Sequence, residues 1–135
     1  MALSEIKVSL RLTGDNLVPS EISSALGCNP SEARAKGEEI ESQRFIRKSP
    51  TGVWILRSHR KDTLDEAIQD LLERVNVDAT VWNDLTNRFR AEFFVGLFSD
   101  TNQAGLTISA MTLRRLSDLG LAIALDVYCS SAAAT

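Results

Sequence analysis

The chain has 135 residues, 44% of them hydrophobic and 24% charged, and a net charge of −3 at pH 7. That length and composition fit one globular domain with a full core. The acidic balance argues against nucleic acid as a default partner, and the basic segment described below permits at most weak, salt-sensitive contact. No apolar run approaches the roughly 18 residues that cross a bilayer. The N-terminus lacks the charged-then-apolar pattern of a secretory signal. A cytoplasmic domain with no membrane attachment is expected.

Ile6, Val8, Leu10 and Leu12 alternate with polar residues, the period of a strand with one buried face. The turn Gly14-Asp15-Asn16 follows. Pro19 suits the first turn of a helix, which carries Ile22, Ala25 and Leu26 and ends at Gly27. Residues 28–52 show little periodicity and read as a long irregular connection, with room for one helical turn at Ser31–Ala35. Val53-Trp54-Ile55-Leu56 is a short second strand. Thr63 and Glu66 form a capping box before a helix bearing Leu64, Ala67, Ile68, Leu71, Leu72 and Val75. Val81, Trp82, Leu85 and Phe89 mark another helix. Phe93, Val95 and Leu97 form the third strand; Phe94 and Phe98 make its second face apolar too, so both faces are expected to be covered. Ser109 caps a helix with Leu113, Leu116 and Leu119 that stops at Gly120, and Ile123, Leu125 and Val127 form the fourth strand. Residues 1–129 are expected to be the domain, and the small-residue stretch 130–135 a flexible tail.

The two ends of the chain rhyme as strand, turn with aspartate, helix, Leu-Gly, then strand. This predicts an α+β fold: a single four-stranded sheet packed by helices, with two βαβ-like halves joined by a helical bridge, a ferredoxin-like variant. The motifs Gly14-Asp15-Asn16-Leu17-Val18-Pro19-Ser20-Glu21-Ile22, Leu26-Gly27-Cys28-Asn29-Pro30, Lys36-Gly37, Gly52-Val53-Trp54-Ile55-Leu56, Leu71-Leu72 and the leucine-rich stretch from Leu113 to Tyr128 resemble the bacterial domain-of-unknown-function family numbered 4279. Ser23 departs from that pattern, which favours threonine there. The resemblance spans about residues 5–128. It implies a single bacterial domain and brings no activity or catalytic residue.

Chemistry-bearing patterns are sparse. Cys28 and Cys129 match no zinc or redox spacing, and the only histidine, His59, follows Ser58 directly, so the two are expected to point to opposite faces. Asp15 and Asp100 occupy equivalent strand ends and read as turn acceptors. No metal, cofactor or catalytic residue is expected. Residues 34–61 hold eight of the fifteen basic residues and only three acids. Within that segment Arg44, Arg47, Lys48, Trp54 and Arg57 are the candidate contacts for an acidic protein partner or a small anion. The competing readings are a solvated surface for the cations and a core position for Trp54. The leading expectation is a non-catalytic protein-interaction module, immunity-like or an adaptor. A small-anion sensor and an enzyme of unspecified class are the alternatives. The oligomeric state is open.

Overall fold

Alternation along the first strand governs the layering. The computed structural model describes residues 4–41 and 45–129. The elements in chain order are β1 (Glu5–Gly14), α1 (Pro19–Leu26), β2 (Glu32–Arg34), β3 (Glu39–Glu41), β4 (Ile46–Lys48), β5 (Gly52–Arg57), α2 (Leu64–Arg74), α3 (Ala79–Arg88), β6 (Arg90–Ser99), α4 (Ala110–Leu119) and β7 (Ala122–Cys129). Val8, Leu10 and Leu12 of β1 pack with Trp54 and Leu56 of β5 and with Phe93 and Val95 of β6. Ile22 and Leu26 of α1, Leu64, Ile68 and Leu71 of α2, Trp82 and Leu85 of α3 and Leu116 of α4 complete the same core. The four helices therefore lie against one face of the sheet. The odd-numbered side chains of β1 and β5 and the even-numbered ones of β6 and β7 lie on the other.

The α+β class is as expected, but the sheet is not the single four-stranded one. It has five strands in the order β2-β5-β1-β6-β7, and β3 and β4 form a separate two-stranded hairpin. The extra strand comes from the stretch read as irregular or as one helical turn. Glu32-Ala33-Arg34 pairs antiparallel with Ile55, Trp54 and Val53. The ladder to β5 and ion pairs of Glu32 with Arg34 and Arg57 hold it there, and three residues are too few to show a period.

The two halves are also less alike than their sequences suggest. β6, α4 and β7 form a parallel pair with a helical crossover. In the first half β5 runs antiparallel to β1 and sits between β1 and β2. The strand parallel to β1 is therefore the three-residue β2, and β1-α1-β2 is a split βαβ unit.

Local signals fix the ends of elements. Gly27 (φ 66°) and Gly120 (φ 74°) close α1 and α4 in the left-handed conformation. Thr63 caps α2 by accepting from the Glu66 N–H at 3.2 Å, and its hydroxyl donates to the Glu66 carboxylate at 2.9 Å, where a capping box has that carboxylate accept from the Thr63 backbone N–H. Gly52 faces Gly14 across the β1–β5 ladder. A Cβ at Gly52 would lie 2.7 Å from the Gly14 carbonyl oxygen and 2.8 Å from that of Leu17, so the Leu17 turn can close over the strand end only above a glycine.

Candidate functional site

Among the described residues one face of the sheet carries no helix, and that face holds the candidate site. On β1, Lys7, Ser9 and Arg11 alternate with core residues, and Arg57 on β5 and Phe94, Gly96 and Phe98 on β6 share their side of the sheet. Among the described residues the expected cover over the second face of β6 comes from long side chains of the sheet itself and not from helices. The Arg11 guanidinium stacks 4.0 Å from the Phe94 ring centroid. The Lys7 ammonium lies 5.6 Å from the Phe98 centroid. Phe98 in turn stacks on Tyr128 of β7 with centroids 4.9 Å apart. Cationic stems lying over aromatic faces shield apolar surface while keeping their charge at the water boundary.

These residues floor an open groove of about 420 Å³ whose rim is Arg57, Ser58, His59 and Arg60. At Gly96 an added Cβ would press to 3.2 Å from the Phe98 ring, so glycine keeps this part of the floor low. The rim is anchored from beneath by α2. Asp70 accepts the His59 backbone N–H at 3.0 Å, and Arg74 donates to the Arg57 carbonyl at 2.9 Å. Burial pushes the Asp70 carboxyl up, but the His59 N–H, the nearby His59 ring and Arg74 outweigh it and hold the group below its ordinary value of 3.8.

Charge balance within the groove is uneven. Glu5 is the one carboxylate among its lining residues. Arg57 is ion-paired with Glu32 at 3.1 Å, and bonds from Arg34 and then Arg57 hold Glu32 below the usual glutamate range. Among the described residues Lys7, Arg11 and Arg60 make no ion pair. Glu92 lies directly across from Arg11 on β6, yet it pairs with Arg90 at 3.6 Å. The Arg11 Nε is buried and makes no hydrogen bond. Arg11 therefore presents its positive charge to the groove from over the Phe94 ring, with its cross-strand neighbour Glu92 engaged by Arg90.

The structure scatters the residues singled out from sequence. Arg57 is in the groove. Arg47 and Lys48 are exposed on the β3–β4 hairpin, opposite Ile40 and Glu39. Arg44 lies outside the described residues. Trp54 is 0% exposed, faces the helices and donates from Nε1 to the Ser23 hydroxyl at 3.1 Å. It is a core residue and cannot contact a partner. Lys36 is engaged by Asp15 at 3.2 Å, which, with Thr51, holds the Asp15 carboxyl low. Charge density along the chain does not single out Lys7 or Arg11, nor does it tie them to the apolar face of Phe94 and Phe98. Their signal was present as the polar phase of β1 set against the second aromatic phase of β6.

The groove does not assemble a nucleophile. Ser58 donates to the His59 backbone carbonyl at 2.9 Å, while the His59 ring faces Asp70 at 3.5 Å. Serine and imidazole therefore share no hydrogen bond. Among the described residues no group of three metal-ligating side chains converges, and no helix is long and apolar enough to cross a membrane.

Over residues 4–130 the chain matches a protein-family model described as a domain of unknown function, DUF4279. No curated protein and no solved structure gives a significant match.

Proposed function

The chain therefore belongs to the DUF4279 family, and we propose that it is a non-catalytic interaction module that docks an acidic protein segment across the uncovered face of its sheet. The observation that carries this reading is the groove floor itself. Lys7 and Arg11 lie over aromatic rings with no carboxylate partner among the described residues, and Arg60 stands equally unpaired at the rim. An extended segment with two or three acidic side chains would neutralise these cations, and its apolar residues would lie on Phe94, Phe98 and Tyr128. Charge of this kind steers encounter, and aromatic and arginine anchors supply much of the affinity. In this reading the protein serves in the bacterial cytoplasm as an immunity-like or adaptor component.

The test is fluorescence polarisation with a labelled decaglutamate peptide. Binding is expected at low salt and should weaken about tenfold in Arg11→Met, in line with loss of a charge-assisted hydrogen bond. No binding at low salt, or equal binding by the Arg11→Met variant, overturns the proposal. The groove volume of about 420 Å³, within the range of small-molecule sites, favours a second reading, a sensor for a small anion held by Lys7, Arg11 and Arg60. Displacement of the peptide by stoichiometric citrate, beyond what equal ionic strength of chloride achieves, would select that reading.

A further inference from the structure

The two edges of the five-stranded sheet are built differently. β2 is three residues long and carries Glu32 and Arg34, so it offers little template for another strand. β7 is eight residues long, with no proline or lysine and with Asp126 as its one charge. Among the described residues its outer edge pairs with no strand. Leu125 and Val127, on the helix side of the sheet, are 55% and 58% exposed, and Tyr128 on the other side is 50% exposed. The helix layer stops short of them. Met111 and Leu113 at the start of α4 are also exposed, and the parallel crossover puts that end of the helix beside the C-terminal end of β7.

We propose that β7 pairs antiparallel with β7 of a second copy, around a two-fold axis perpendicular to the sheet and passing near Leu125. Such an axis keeps helices on one side and the groove face on the other, so odd residues must meet odd ones. Only a few registers then keep most of the strand paired. Centred on Asp126, the two carboxylates oppose each other directly, which is unfavourable. Centred on Leu125, Leu125 meets Leu125 of the second copy, Ile123 meets Val127, Asp126 meets Ala124 and Tyr128 meets Ala122. Every apolar side chain on the helix side gains an apolar partner, and the lone charge faces a small residue. Self-complementarity of this kind is the requirement of a two-fold interface. The result is one ten-stranded sheet with both grooves open on the same face.

Sedimentation velocity from micromolar to millimolar concentration tests this, with a mass twice the 14.8 kDa of one chain expected at the upper end. Leu125→Lys, at a half-exposed position, should retain its circular dichroism spectrum and raise the dimer dissociation constant by about tenfold or more, since it sets like charges face to face. Leu125→Cys in a Cys129→Ser background should form an intermolecular disulfide on mild oxidation, because directly opposed antiparallel residues are within disulfide reach. Thr80→Cys on α3, in the same background, should not. A monomer at every concentration, a dimer indifferent to Leu125→Lys, or equal cross-linking at positions 80 and 125 overturns the proposal.

Discussion

Replacing Trp54 separates packing from binding. Its indole is fully enclosed between the sheet and α1, and its Nε1–H has the Ser23 hydroxyl as partner. Truncation to alanine removes one of the two buried tryptophans from the core and should cost about 3–5 kcal/mol. Against a typical domain stability of about 5–15 kcal/mol, that removes roughly a fifth or more of the protein's margin. Its melting temperature should drop by roughly 10–20 °C. Trp54→Phe keeps most of the contact and should cost about 1–2 kcal/mol. Ser23→Ala leaves the indole N–H buried without a partner and should cost about 1–3 kcal/mol. The Trp54→Phe, Ser23→Ala double variant has no orphaned donor, so it should be more stable than the sum of the single effects predicts by about 1 kcal/mol. Urea titrations of the four proteins, followed by circular dichroism, close the cycle. Full additivity would refute the hydrogen-bonded placement of Trp54. A loss below about 1 kcal/mol for Trp54→Ala would refute its burial. Peptide affinity in Trp54→Phe should equal that of the parent.

Asp70 supplies a pH-dependent tether for the groove rim. Its folded-state pKa lies below the ordinary 3.8, so its contribution is full above that value and disappears as pH falls through the folded value. Asp70→Asn should therefore be less stable than the parent at pH 7, and the gap should close on acidification below 3.8; urea midpoints of both proteins against pH would show it, and a constant gap would contradict it. Tyr128 is the only tyrosine, and its hydroxyl donates to Asp126, which pushes the phenol above its ordinary 10.0. Ultraviolet titration should find the phenol ionising above 10.0 in the parent and at lower pH in Asp126→Asn.

Three of the four long strands and the four helices are legible from a repeated period or a boundary signal, and β5 only as a short apolar run between turns. Ser109 and Gly120 bracket α4, and Thr63 opens α2. The segment 28–52 was not legible: β2, β3 and β4 are three residues each, and cross-strand bonds define them more than any pattern of their own. Strand direction was hidden for the same reason. Nothing in Gly52–Arg57 says that it fills the gap between β1 and β2. The site was half legible. Val53 to Leu56 is apolar on both phases, which masks the inward orientation of Trp54. Arg11 is not legible as a site residue, because a cation alternating with core residues has the pattern of ordinary strand surface, and only the fold sets Phe94 beneath it.

The central place of β1 has a consequence for how the protein is made. Both of its ladder partners come later in the chain, and about 75 residues separate Gly14 from the start of β6. At about 5–20 residues per second, the ribosome needs several seconds to deliver the second neighbour. Until then Val8, Leu10 and Leu12 form a nascent apolar ribbon with at most one side satisfied, a natural substrate for chaperones that grip hydrophobic segments. Assembly ends with distant partners meeting, so this domain should fold slowly for its size.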